Sequence, residues 1–387
     1  MSRFTFARAS RWFSAPLLAS AIWLSGCDDG SSGTVSASSA DPDGIVGSIA
    51  QKYADHFPIG AAVGNWQLDN AATALTRDFN HLTAENAMKA QNIHPTEATY
   101  NWTEADRVAA FARSHGMKVT GHALLWHRQA PEWLFAGVTA GDAASVELLK
   151  SRLKAHIEAV VTRYADVVDN WDVVNEAISS DSSKIYRDGP EGSQWYELFG
   201  SEEYIYWAYQ YAHDAFEAIE PGSSVGKLYY NDYTVTAKVD QILTMLAWLE
   251  TRGIHVDGVG FQSHEYMNWP STGELQAAFD RFVAAGYKLK VSELDVTVYD
   301  DYASGSFVPS PQVEYTPELE DAQAQRFASL FSLYRANKEN VTSVTFWGVS
   351  DNRSWLNYVP VEGRADYPLL YADPKTPKAA RTAIMNF

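Results

Sequence analysis

The stretch Val167-Val-Asp-Asn-Trp-Asp-Val-Val-Asn-Glu-Ala-Ile178 decides how the fold is read. Val167, Val168, Val173 and Val174 are β-branched and apolar, as in a strand covered on both faces. The run stops at Asn175-Glu176, where an amide stands beside an ionisable carboxylate. A carboxylate at the end of a buried strand is costly unless another group uses it. On the N-terminal side, Leu149, Leu153, Ile157, Val160, Val161 and Tyr164 recur at helical spacing. On the C-terminal side, Ser201-Glu-Glu opens a helix that stops before Pro221-Gly222. The strand therefore sits between helices.

The same alternation runs from Ile45 to the end of the chain without a second break in composition. Strand candidates fall at 57–63, 81–86, 118–123, 168–175, 226–231, 258–263, 288–294 and 342–348. Thr103-Glu-Ala-Asp106 starts a helix that Gly116 stops, and Gly253 and Gly286 end two more. Eight strand–helix units in about 340 residues predict an α/β fold, a (β/α)8 TIM barrel forming one catalytic domain over residues 45–387. A doubly wound open sheet is the alternative, but it usually carries fewer strands and a nucleotide site.

In a barrel, functional residues gather at the C-terminal strand ends and the loops that follow. Polar residues should then cluster just after each apolar run, and they do. Glu85-Asn86, with Lys89, follows the second run, and His122, Trp126, His127 and Gln129 follow or close the third. Asn175-Glu176 ends the fourth, and Asn231-Asp232-Tyr233 the fifth. Gln262-Ser-His264 ends the sixth, Glu293-Leu-Asp295 the seventh, and Trp347-Gly-Val-Ser-Asp351 the eighth. Each has a bland reading alone, as a core histidine or a structural ion pair. Seven at one end of one barrel make a composite site.

Composition narrows what that site can bind. The formal charge of −18 argues against nucleic acid, because phosphate contacts need clustered Lys and Arg. No Walker-type loop appears, and Gly258-Val-Gly260 lacks the third glycine of a dinucleotide fingerprint. The 13 Trp, 21 Tyr and 17 Phe exceed what a core alone suggests and suit a cleft that stacks flat ligand faces.

Residues 1–26 read as a leader: Arg3, Arg8 and Arg11 precede an apolar stretch from Trp12 to Leu24. Leu24-Ser25-Gly26-Cys27 resembles a bacterial lipoprotein signal box, which implies cleavage before Cys27 and a lipid on its sulfur. An ordinary secretory peptide is the alternative. Residues 27–44 are rich in Ser, Gly, Ala and Asp and read as a flexible tether. The expected location is the bacterial cell envelope, lipid-anchored, with secretion as the other outcome. Removing three arginines and no acids would take the charge from −18 to −21. The sole cysteine leaves no internal disulfide and no thiolate zinc cluster.

Glu176 and Glu293 stand out chemically. Strands four and seven are not neighbours in an eight-strand barrel, so the two carboxylates would face each other across its mouth. Facing carboxylates in different environments suit glycosidic bond cleavage, one acid protonating the leaving oxygen and the other stabilising or attacking the anomeric carbon. Asn175 is placed to donate to a sugar 2-hydroxyl, and His264 to bond Glu293 and hold it ionised.

These residues resemble glycoside hydrolase family 10, the endo-1,4-β-xylanases. The likeness rests on an ordered set of motifs along nearly the whole chain after the tether. They are Glu85-Asn-Ala-Met-Lys89, Gly121-His-Ala-Leu-Leu-Trp-His-Arg-Gln-Ala-Pro-Glu-Trp133, Trp171-Asp-Val-Val-Asn-Glu176, Asn231-Asp-Tyr233, Gly258-Val-Gly-Phe-Gln-Ser-His264, Val291-Ser-Glu-Leu-Asp295 and Phe346-Trp-Gly-Val-Ser-Asp351. The resemblance implies Glu176 as general acid/base and Glu293 as nucleophile. It implies Asn175 at the 2-hydroxyl and His264 as partner of Glu293. Lys89, His122, Trp126 and Gln262 would line the subsite at the point of cleavage, with Gln129 also on the substrate side. Glu85 and Asn86 would grip the next xylose outward, and Trp347 and Trp355 would wall out a hydroxymethyl group. The family retains anomeric configuration, so the carboxyl groups would lie about 5–5.5 Å apart.

The resemblance implies xylan and xylo-oligosaccharides as substrates, no cofactor, and a protein expected to act as a monomer. Trp171 and Asp172 read as structural. The long loops at 299–317 and 353–371 are expected to reshape the cleft, and no stretch is left for a separate carbohydrate-binding module. Three other readings stay open. One is a related β-1,4-glycanase or aryl cellobiosidase on the same site. A metal-dependent hydrolase would draw on His122, His127 and His264, although they lack a tight ligand pair. The last is a non-catalytic surface lipoprotein that captures polysaccharide through its aromatics.

Overall fold

Strand β1 (Ile59–Val63) pairs in parallel with β2 (His81–Ala84), which pairs with β3 (Lys118–Trp126), and β3 with β4 (Val168–Asn175). The ladder continues through β5 (Leu228–Asp232), β6 (Gly258–Phe261), β7 (Lys288–Thr297) and β8 (Val341–Phe346). β8 then pairs back onto β1, with Gly60 beside Thr345, so the sheet closes with every strand parallel. This is the (β/α)8 barrel that the alternation predicts, and closure rules out the open doubly wound sheet. The structure is a computed structural model and describes residues 44–189, 192–224, 226–302 and 306–387. The leader, Cys27 and the tether up to residue 43 lie outside the described residues.

The helices sit where the sequence periodicity puts them. The longest, Ala143–Tyr164, buries Leu149, Leu153, Ile157, Val160, Val161 and Tyr164, and the Asp142 side chain caps its first turn. All five residues of β1 and all five of β5 are buried, as parallel strands between a packed barrel interior and a helical ring should be.

Strand ends depart from expectation for identifiable reasons. β1 begins two residues late because Pro58 has no N–H to give a ladder, although its carbonyl still accepts from Val344 N at 3.0 Å. β3 runs three residues further than expected, through a register shift between His122 and Leu125 that re-aims its end. β6 stops at Phe261 because Ser263 takes a left-handed φ of 58°, and a three-residue strand, His264–Tyr266, then resumes beside β7.

Among the described residues, four that are not glycine adopt φ between 46° and 58°: Gln129, Glu176, Thr234 and Ser263. They follow β3, β4, β5 and β6 in turn, all at the C-terminal mouth. Each such conformation costs roughly 1–3 kcal/mol and persists only where surrounding contacts hold it, which marks the mouth as the functional end.

Candidate active site

β4 delivers Asn175 and Glu176 to the mouth, and β7 delivers Glu293. The intervening strands supply the amides that join them. Asn231, on the inward face of β5, donates through Nδ2 to Glu293 Oε1 at 2.8 Å and to Asn175 Oδ1 at 3.0 Å. Its Oδ1 accepts from Ser292 Oγ at 2.6 Å, and the ionised Glu293 oxygen, which can only accept, fixes the sense of this amide. The Asn175 oxygen therefore faces Asn231, and its nitrogen faces Glu176 Oε1 at 3.4 Å. Turning Asn175 over would let it accept from Trp126 Nε1 but would set its nitrogen against Asn231 Nδ2, donor against donor. Just past β6, Gln262 donates to Glu176 Oε1 at 3.0 Å, while Trp126 Nε1 donates to Glu176 Oε2 at 3.0 Å.

The two carboxylates live in different surroundings. Glu293 is only 5% exposed, whereas Glu176 is half-buried. His264 Nε2 lies 3.3 Å from Glu293 Oε2, and its Nδ1 lies 3.0 Å from Asp295 Oδ2. Burial disfavours the imidazolium, but the Asp295 and Glu293 carboxylates outweigh it and raise its pKa to about 10. Burial likewise works against the Glu293 carboxylate. The His264 hydrogen bond, with the electrostatic pull of His122, His264 and Lys89, overcomes it and lowers the Glu293 pKa.

Asp295 is in turn held by Trp355, whose Nε1 donates to Oδ2 at 2.8 Å and whose ring lies 4.9 Å from His264. Trp355 thus reaches the site through Asp295 and His264. The loop that carries it is tied to the loop at 299–317 by Arg364, which donates to Asp301 Oδ1 at 3.0 Å.

A second set lines the wall across β2, β3 and β8. Lys89 is buried and lies 4.9 Å from the Trp126 ring and 6.0 Å from that of Trp347. Burial lowers its pKa against the pull of Glu293, Glu85 and Glu176. Glu85 is its counterpart, raised by burial and lowered in part by Lys89. His122 packs against Trp347 with centroids 5.4 Å apart, and its Nδ1 bonds Asp172 Oδ2 at 2.9 Å. Asn86 is exposed at the rim, where its Oδ1 accepts from Lys89 Nζ at 3.1 Å and from Gln129 Nε2 at 3.4 Å. Gln129 is thus placed beside Asn86.

Three residues to which the sequence assigns no role at the site take part in it. Asn231 bridges the two halves, Asp295 orients His264, and Asp172 orients His122 while pairing with Lys290 at 2.7 Å. Asp172, expected to be structural, stands one contact from the mouth. Strand alternation could have given Asp295 its role, since it shares a face with Glu293 two residues earlier. Two histidines of the metal reading are engaged by carboxylates: His122 by Asp172, and His264 by Glu293 and Asp295. Among the described residues no group of three or more His, Cys, Asp or Glu side chains is placed to hold a metal ion.

Comparison with known proteins agrees with this fold. Residues 48–387 match the profile of glycosyl hydrolase family 10. Endo-1,4-beta-xylanase B of Paenibacillus barcinonensis is 38% identical over 335 residues, covering 86% of this chain and 96% of that protein. The crystal structure of an endo-1,4-beta-xylanase from Caldicellulosiruptor owensensis superposes with a TM-score of 0.80 at 36% identity, covering 88% of this chain and 100% of that one. A mutant structure in complex with xylotriose matches with a TM-score of 0.79 at 35% identity, over 88% of this chain and 100% of the other. The chain belongs to glycosyl hydrolase family 10.

Proposed function

We propose that this protein is an endo-1,4-β-xylanase that cleaves internal xylosidic bonds with retention of configuration. The observation that carries the assignment of roles is the unequal setting of the two glutamates. Glu293 is buried against His264 and kept ionised, as a nucleophile must be. Glu176 is half-buried and reachable by water, as a group that must give and regain a proton should be.

In the first step Glu293 attacks the anomeric carbon while Glu176 gives its proton to the departing glycosidic oxygen. The bond to the leaving chain breaks as the bond to the Glu293 oxygen forms. In the second step Glu176 takes a proton from water, whose oxygen displaces Glu293 and releases the sugar. Asn175 is the 2-hydroxyl contact, presented beside Glu176. Lys89, His122, Trp126 and Gln262 surround the sugar undergoing cleavage, with Gln129, Glu85 and Asn86 further out. Trp347 and Trp355 close the wall against a hydroxymethyl group. Support for xylan as the substrate comes from the xylanase relatives and from the xylotriose bound in a structural neighbour.

A panel of xylan, arabinoxylan, cellulose and aryl cellobioside tests the reading. Xylan should be cut to a spread of oligosaccharides and cellulose left intact. Release of sugar chiefly from cellulose or the cellobioside would favour a broader β-1,4-glycanase, and no release from any of them would favour polysaccharide capture without catalysis.

The N-terminal reading is a second proposal. Cys27, the sole cysteine, closes the apolar leader and would carry a lipid that holds a monomeric barrel at the cell envelope through the 27–44 tether. Cys27→Ser should move the enzyme from the membrane fraction to the soluble one. An unchanged distribution would contradict the anchor.

A further inference from the structure

We infer that a buried Tyr230–Asp232–Lys238 chain positions the proton-donating glutamate, acting on the backbone that follows it. This inference rests on Glu176 being the acid/base. Tyr230 and Asp232 are 0% exposed and Lys238 is 3% exposed, so the whole chain is out of water. Tyr230 Oη accepts the backbone N–H groups of both Ala177 and Ile178, each at 3.0 Å. With both lone pairs occupied, the hydroxyl must send its proton elsewhere, and it donates to Asp232 Oδ2 at 2.5 Å. The other Asp232 oxygen accepts from Lys238 Nζ at 2.8 Å and from Tyr233 N at 2.9 Å.

The arrangement meets a specific need. Glu176 has φ of 56°, a left-handed conformation that its side chain disfavours. Its own N–H donates to Asn231 O at 2.9 Å, and its carbonyl accepts from Arg187 Nε at 3.0 Å. These contacts hold the peptide groups at Glu176 itself. The next two N–H groups have left the β4 ladder and would be stranded in a buried turn without the Tyr230 oxygen. One hydroxyl therefore fixes the direction in which the chain leaves Glu176, and with it the direction of the Cα–Cβ bond that aims the carboxyl.

Strand alternation explains why β5 can do this. Asn231 points inward and holds Glu293 through its side chain, whereas Tyr230 and Asp232 share the opposite face and hold Glu176 through its backbone. Losing the Tyr230 hydroxyl would loosen Glu176 and leave the contacts of Glu293 in place. The three residues are positioning residues and touch no reacting atom.

Leaving-group dependence separates this role from a merely structural one. Tyr230→Phe removes only the hydroxyl, and kcat/KM on aryl β-xylobiosides isolates the first chemical step. A phenyl leaving group needs the proton of Glu176, whereas a dinitrophenyl group departs without it. Tyr230→Phe should lower kcat/KM about tenfold or more on the phenyl glycoside and about twofold or less on the dinitrophenyl glycoside. Glu176→Gln should show the same pattern more strongly. Equal losses on both substrates, or none, would overturn the inference. If Glu176→Gln itself fails to discriminate, the acid assignment falls instead. Should Tyr230→Phe not fold, Asp232→Asn keeps an acceptor for the hydroxyl but removes the ion pair with Lys238, and it should shift the two substrates in the same unequal sense. Equal losses in that variant would overturn the inference as well.

Discussion

His264 lies between two carboxylates, and both of its ring nitrogens are within hydrogen-bond reach of an oxygen. Only the imidazolium can donate at both ends, in keeping with a pKa raised to about 10. Its folded pKa lies above the ordinary 6.5, so its contribution to stability is complete below that value and is lost as pH rises toward about 10. Glu293 is the opposite case. Its pKa is lowered from 4.5, so its contribution is present above that value and is lost as pH falls through the lower folded pKa. Between those limits the pair is charged, the state that the proposed attack by Glu293 needs. His264→Asn removes a positive charge and a hydrogen bond from Glu293. The Glu293 pKa must then rise, and the acid limb of the kcat/KM profile should move to higher pH. A limb that stays in place would show that His264 does not hold the nucleophile ionised.

Close approach between neighbouring strands depends on residues that lack a side chain. A Cβ on Gly260 of β6 would collide with Asn231 Oδ1 and crowd Lys290 Cε at 3.2 Å. The amide that bridges the two glutamate-bearing strands therefore exists in its place because β6 has a glycine there. Gly260→Ala should cost roughly 1–3 kcal/mol of stability through overpacking. It should also lower kcat by up to about a hundredfold, because Asn231 must shift away from Glu293. A variant with lowered thermal stability and normal kcat would show that the bridge tolerates displacement. The eight strands and their order were legible in the sequence because period and punctuation repeat eight times. The bulge in β3 and the break at Ser263 were not, since each depends on pairing with a strand distant in sequence. The placement of Glu176, Glu293 and His264 at the mouth was legible because a polar side chain that closes an apolar run carries a desolvation cost that chemistry there can justify. Asn231 was named only within a motif, and its bridging role needed the register that sets it beside Asn175.

Closure of the barrel brings the two ends of the described chain together at the face opposite the site. Asp78, 0% exposed, ends the helix before β2. It accepts from Ile49 N at 3.0 Å near the start of the domain and from Arg381 Nη2 at 2.7 Å in the last helix, Ala379–Met385. Tyr53 Oη adds a bond to Ile384 O at 2.6 Å. Contacts at this face bear on stability and leave chemistry alone. Asp78→Ala would strand the buried Arg381 charge and should cost roughly 3–5 kcal/mol, read as a lower temperature of half-inactivation, with kcat at low temperature unchanged. A matching fall in kcat would mean that the two faces are coupled. At the mouth, Glu176 and Glu293 are proposed to act as a retaining pair. Proton NMR of the first sugar released from a xylan oligosaccharide tests it most directly. The β-anomer should appear first and then mutarotate, and an α-anomer appearing first would contradict the covalent role of Glu293.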